Sequence, residues 1–268
     1  MLTLTAPFSV AARHASLIRE LAKREVLGRY RGASFGLLWA LISPFLMLGV
    51  YTLAFGSILG SHWPAMPGQH HSFALILFIG LIIHAFFSEC VNQAPRLVSG
   101  NPSYVKKVVF PLEILPLPMT LSAIFHLLMN FAAYIVLALA LGENPGWTMI
   151  LFPIAVLPLV FLSLGVSWML AALGVYFRDI NQITGVATTT LLFTSTAIIP
   201  ITAIPEDLRW LFKLNPLSFI IDQARNVAIW GTQPDWLGLG LYGVGALVVY
   251  VVGYNIFGLT RRGFADVL

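Results

Sequence analysis

The chain has 268 residues, 58% hydrophobic and only 10% charged, with a mean hydropathy of +0.86; a soluble domain carries roughly 25% charge, so a soluble globular enzyme is excluded and a membrane protein is indicated. The net charge of +4 and pI near 9.4 do not predict a nucleic-acid partner, because the cations are spread between apolar stretches as topology-setting loop charges are. One cysteine, Cys90, excludes an internal disulfide and a cysteine metal cluster.

Met1 to Ala12 lacks a basic start and its short apolar run is broken by Pro7, so no cleavable signal is expected. Residues 12–31 place Leu17, Ile18, Leu21, Ala22, Val26 and Tyr30 on one helical face, with Arg13, Arg19, Lys23, Arg24 and Arg31 largely opposite. That is the pattern of an interfacial helix, which can serve simply as a surface anchor. Glu25 and Arg29 interrupt the apolar face, and their i, i+4 spacing lets them pair with each other. From Gly32 to Ser61 no charged residue occurs, a run longer than the roughly 20 apolar residues that cross a bilayer.

Breaking the rest at charges and turn residues predicts an all-α integral membrane protein with six transmembrane helices, at about 34–60, 72–91, 114–141, 148–177, 183–203 and 237–260. Residues 1–31 form the interface helix and 32–268 the transmembrane domain. With the N-terminus inside, twelve of the fifteen Lys and Arg fall inside. These are the six up to Arg31, then Arg96, Lys106, Lys107, Arg178, Arg261 and Arg262; only Arg209, Lys213 and Arg225 fall outside. This positive-inside bias puts both termini in the cytoplasm.

Two further non-spanning segments stand out. The inside loop 92–113 mixes Arg96, Lys106 and Lys107 with Tyr104, Val108, Val109 and Phe110, which suits docking of a soluble partner. The outside segment 204–236 is too apolar for a free loop. Asn215 is placed to cap a helix beginning at Pro216, and Gly231 to end it; an earlier start at Pro205 has Glu206 and Asp207 in its first turn. Two short helices dipping in from the outer face, a re-entrant hairpin between spans five and six, satisfy the backbone requirement at membrane depth.

No phosphate loop, H-E-x-x-H, cysteine pair or G-x-S-x-G appears, so neither a catalytic site nor a cofactor is expected in this chain. His84 and Glu89 lie toward the inner end of the second span, and His126 and Asn130 share a face of the third. Ionisable groups at such depth are costly and suggest a proton relay; the structural reading is Glu89 at the interface and His126 bonded to Asn130 or a neighbouring helix. His62, His70 and His71 share a loop without a carboxylate or thiolate, so no metal site is expected. Gly32/Gly36 and Gly56/Gly60 have the spacing for close helix approach. Trp39, Tyr51 and Phe55, Phe86 and Phe87, and Trp210, Phe212 and Phe219 can either line a path, since aromatic faces stack on sugar rings, or serve as belts and packing.

The order of segments resembles the ABC-2 type permeases that export polysaccharides and polyol phosphates, over nearly the whole chain. Arg24-Glu25-Val26-Leu27-Gly28-Arg29-Tyr30-Arg31 and Gly36-Leu37-Leu38-Trp39-Ala40 are similar to the family's segment before the first span and to the start of that span. Tyr104 to Pro111 with Glu113-Ile114-Leu115-Pro116 is the nearest match, and Tyr176-Phe177-Arg178-Asp179 and Asn215-Pro216-Leu217 match two later signatures. Leu112 departs from the basic residue usual there. The resemblance implies a homodimer in a bacterial inner membrane that binds two copies of an ATPase subunit, with ATP and Mg on that subunit. Arg24, Glu25, Arg29, Lys106, Lys107, Phe110, Pro111, Glu113, Arg178 and Asp179 would transmit the ATP-driven motion. Trp39, Tyr51, Phe55, Phe86 and Phe87 would line the channel. Trp210, Phe212, Asn215, Pro216, Phe219, Asp222 and Arg225 would form an outer gate. The substrate implied is a polyprenyl-linked glycan, O-antigen ahead of capsule, teichoic acid or small molecules. A proton-coupled transporter using His84, Glu89 and His126 is the rival class, and a membrane-bound glycosyl- or acyltransferase, which has no motif here, the third.

Overall fold

A computed structural model describes residues 6–54, 72–106, 110–143, 146–177 and 179–267. Lipid offers no hydrogen-bond partner, so apolar segments must pair their own backbone; all regular structure among the described residues is helical. The chain opens with α1 (Ala6–Arg13) and α2 (Ala15–Arg29), meeting at His14, then a short turn and α3 (Trp39–Tyr51). Next come α4 (Phe73–Gln93), the small α5 (Arg96–Ser99) and α6 (Pro102–Lys106), and α7 (Pro116–Ala140). α8 (Phe152–Tyr176) continues through Pro158 and is followed by α9 (Ile180–Phe193), α10 (Arg209–Leu214) and α11 (Pro216–Ala228). α12 (Trp236–Thr260) and α13 (Phe264–Val267) complete it.

Among the described residues five segments are long and apolar enough to cross a membrane: Gly36–Ala54, Phe73–Gln93, Leu112–Ala140, Trp147–Tyr176 and Trp236–Val267. The predicted fifth span, 183–203, is corrected. α9 starts earlier, stops at Phe193 and has 14 residues, about 21 Å at 1.5 Å each, short of the roughly 30 Å hydrocarbon core. Residues 194–200 then turn back without helix. The first span's far end, with Phe55, Gly56 and Gly60, lies outside the described residues, as do His62, His70 and His71.

Two apolar clusters hold the bundle. One joins α4, α7, the first half of α8 and α11, through residues such as Ile79, Phe86, Tyr134, Phe152 and Ile221, with Phe131 stacked on Phe152. The other joins α8, α12 and α13 around Trp168, Tyr250, Phe257 and Phe264. In lipid, helix association relies on close packing rather than water exclusion. α8 and α12 achieve it where Gly165 faces Gly253: a Cβ on Gly253 would collide with the Gly165 carbonyl, and one on Gly165 would lie 2.7 Å from Tyr250 Cα. α1 is not laid on the periphery alone, since Phe8 sits 5.3 Å from the Tyr250 ring and 6.4 Å from Phe161.

Candidate functional site

α2 buries Ile18 and Ala22 and packs along α7, which carries its last turn to a cavity of about 440 Å³ between α3, α4 and α7. Trp39 and Tyr51, expected on the path, line this cavity with Ser43, His84 and Asn130. Phe86 and Phe87 do not; they are buried in the apolar core behind it.

At the cavity's edge Arg29, Glu89 and His126 meet, one from each of α2, α4 and α7. Arg29 forms a short ion pair with Glu89, and its Nη1 lies 2.8 Å from His126 Nδ1. The same Nδ1 is 2.9 and 3.0 Å from the two Glu89 carboxylate oxygens, and Gln93 donates to Glu89 at 3.1 Å. Tyr30 packs edge-on against the His126 ring. Glu89 and His126 are deeply set, with 13% and 10% of their side chains exposed, whereas Arg29 is 47% exposed. Arg29 is therefore the member of the group most open to solvent.

The i, i+4 reading of Glu25 with Arg29 is corrected: Arg29 reaches across to Glu89, and Glu25 stands beside this group. Burial, then the Glu89 carboxylate, raise the Glu25 carboxyl above its ordinary value. His84, by contrast, contacts the Thr188 carbonyl at 2.9 Å and the Ser88 hydroxyl at 3.0 Å, so it does not join Glu89 and His126 in a chain of contacts.

Near this end a band of polar contacts ties the loops to the spans. Arg24 donates to the Tyr104 hydroxyl at 3.0 Å. Phe110 stacks on Tyr104 at 4.4 Å, and Pro111 leads into a short turn holding Glu113. Glu113 pairs with Arg261, while its carbonyl accepts from Trp168 Nε1 at 2.9 Å. Asp179 is exposed just before α9. Lys107 and Arg178 lie outside the described residues, as does the side chain of Lys106.

The opposite end has a second charged centre. Asn215 caps α11 as expected, accepting from Leu217 N at 2.9 Å, and its amide also donates to the Leu191 carbonyl at α9's end. Pro216 opens the helix, and Gly231 ends the segment with φ of 64°. Arg225 is 1% exposed. It donates Nε to the Ile76 carbonyl at 3.0 Å, Nη1 to Thr196 at 2.6 Å and Nη2 to Ala197 at 2.8 Å. Burial draws the guanidinium down to about 10 against the pull of Asp222, so it stays charged at neutral pH. Gly80 makes room: a Cβ there would lie 2.7 Å from the Ala197 carbonyl oxygen and 2.8 Å from Arg225 Nη2. Asp222 is half-exposed, 3.8 Å from Arg225, and accepts from the Thr196 hydroxyl. Phe219 stacks on Tyr242 of α12, Phe212 is buried and Trp210 is exposed.

Sequence reasoning assigned Glu89 and His126 to separate pairs and placed Arg225 at an accessible gate. The signal for the first was two ionisable groups inside spans near one end. The signal for the second was a basic residue amid Ile220, Ile221, Ala224 and Val227, all buried.

The profile described as ABC-2 type transporter matches residues 16–229. The O-antigen export system permease protein RfbA of Myxococcus xanthus is 27% identical over 256 residues, covering 95% of this chain and 96% of the relative. The protein of the same name from Klebsiella pneumoniae is 24% identical, covering 94% and 95%. The polysialic acid transport protein KpsM of Escherichia coli is 24% identical, covering 90% and 92%.

Proposed function

Because this chain belongs to the ABC-2 type transporter family, we propose that it is the permease subunit of an ATP-driven exporter that carries a lipid-linked bacterial surface polysaccharide across the inner membrane, with O-antigen the favoured cargo. The observation that carries the reading is likeness along nearly the full length of relatives named for O-antigen export. Capsular polysaccharide is the second reading, favoured by the relative named for polysialic acid transport.

In this reading the α2 end is cytoplasmic and both termini lie there, as the distribution of Lys and Arg supports. Two copies of a partner ATPase hold the ATP and Mg; they dock on the band from Arg24 through Tyr104, Phe110 and Glu113. Two copies of the chain form the channel. Support for pairing comes from α3, whose Leu46, Met47 and Val50 are exposed, Met47 at the cavity itself. α9 with the 194–200 turn supplies the sixth, incomplete crossing, and α10 and α11 dip in from the outer face as the re-entrant gate. Trp39 and Tyr51 offer ring faces to passing sugars, and Ser43, His84 and Asn130 offer polar groups beside them.

The test is to purify the chain with its ATPase in lipid nanodiscs and measure ATP hydrolysis with polyprenyl-linked glycans. Stimulation by an O-antigen-type glycan over the bare polyprenyl phosphate is expected. No stimulation by any lipid-linked glycan would refute the assignment.

A further inference from the structure

We propose that His126 is the positioning residue that lets α2 let go: it takes over Glu89 when Arg29 withdraws, so that the Glu89 carboxylate has a donor in both states of the joint between α2 and the cavity wall, while His126 Nε2 is buried without a partner. The inference rests on the exporter reading for the source of the force on α2, and on geometry for the rest.

His126 Nδ1 is within bonding distance of both Arg29 Nη1 and the Glu89 carboxylate. One ring nitrogen serves one partner at a time: it accepts from a guanidinium N–H, or carries a hydrogen and donates to a carboxylate. Arg29 can only donate, and Glu89 when ionised can only accept. So two arrangements exist. With α2 docked, Arg29 bridges the Glu89 carboxylate and the Nδ1 lone pair. With Arg29 gone, the neutral ring changes tautomer, losing its hydrogen from Nε2 as Nδ1 gains one, and Nδ1–H donates to Glu89, already 2.9 and 3.0 Å away.

The takeover matters because Glu89 is fixed on a span and only 13% exposed. A carboxylate at such a position that loses its partner carries a large desolvation penalty, which would hold Arg29 in place. His126 removes that penalty without moving from α7, and Gln93 keeps its own bond to Glu89 throughout. Since α4 and α7 both line the cavity, docking and release of α2 act directly on its wall.

The experiment uses the complete permease–ATPase complex in nanodiscs, with spin labels at Lys23 of α2 and Leu139 near the far end of α7. Both positions are exposed, and the native Cys90 is buried. Pulsed electron paramagnetic resonance distances, with and without a non-hydrolysable ATP analogue, report α2 docking whatever the cargo. In the parent protein the analogue is expected to shift the distance between two populations. His126→Leu is expected to leave only the docked distance and to slow ATP turnover about tenfold. His126→Asn, which can donate to a carboxylate, is expected to restore the second population. Glu89→Gln with His126→Leu is expected to do the same, since a neutral amide needs no takeover partner.

Both populations persisting in His126→Leu would overturn the proposal. So would a double variant as locked as the single one. Should leucine prevent folding, Glu89→Gln alone decides: α2 must favour release, and an unchanged docked population would sink the idea. A complex whose glycan stimulation fails while these distances behave as expected would refute the cargo assignment and leave the joint standing.

Discussion

Arg29 and Arg225 are both held among apolar helices, yet they are held differently. Arg225 gives three donors to three backbone carbonyls and is 1% exposed; Arg29 binds two side chains and is 47% exposed. A fixed backbone carbonyl offers no second arrangement, whereas a carboxylate and an imidazole can bond each other when the arginine leaves. The first geometry makes a clamp and the second a coupling. One residue type thus serves permanence at one end of the bundle and exchange at the other.

The largest effect is expected at the clamp. Arg225→Met leaves the buried Thr196 and Ala197 carbonyls without the donors that Arg225 gives them, at about 1–3 kcal/mol each, while the Ile76 carbonyl keeps its bond within α4. Monodisperse protein should be lost on size-exclusion chromatography, and Arg225→Lys should recover little, because one ammonium lacks the planar fork. A well-folded Arg225→Met would erase the distinction between the two sites. Gly80→Val comes next: its Cβ meets backbone and clamp together, so overpacking should cost about 1–3 kcal/mol, read as a lowered thermal midpoint.

At the coupling the expected pattern reverses, with function hit harder than fold. Glu89→Gln should change the thermal midpoint little while reducing glycan export per ATP hydrolysed about tenfold. A large loss of stability with normal export per ATP would place Glu89 among the structural residues. The smallest effect belongs to Glu25, whose folded carboxyl is raised by burial and by Glu89. A raised carboxyl favours the protonated form in the fold, so its cost appears as pH climbs past the ordinary carboxylate value. Glu25→Gln should therefore raise the thermal midpoint slightly at about pH 8, with the gain vanishing near about pH 4. A gain that persists at low pH would contradict this origin.

Much of this was legible in the residues. The charge-free run after Arg31, the Asn215-Pro216 cap and the amphipathic 12–31 stretch each rest on local rules; an apolar segment over Gly36–Ala54, the cap and a helix over Ala15–Arg29 are found. The ending of α9 was not legible from charge, because 183–203 is uncharged throughout, and the donor that holds the turn beyond it, Arg225 on the Thr196 and Ala197 carbonyls, is distant in sequence. The pairing of Arg29 was misread for a related reason: Glu25 satisfies the helix-surface rule, but α7 brings a deeper acceptor on α4 within reach. Burial of Phe86 and Phe87 rather than exposure to the cavity follows from the rotation of α4, whose polar residues His84, Ser88 and Asn92 share a different face at i, i+4 and i+8.

The brevity of α9 has a consequence for the surrounding bilayer. Its outward flank, with Ile183, Val186 and Phe193 exposed, is about 21 Å tall from 14 residues. Hydrocarbon of ordinary thickness overhangs it by about 9 Å, and such mismatch costs a fraction of a kcal/mol per ångström. Lipid pressed against this flank must pinch inward, and a second protein surface placed there must be equally low. In the exporter reading, acyl-chain length would thereby set how far lipid must deform beside one helix that stops early.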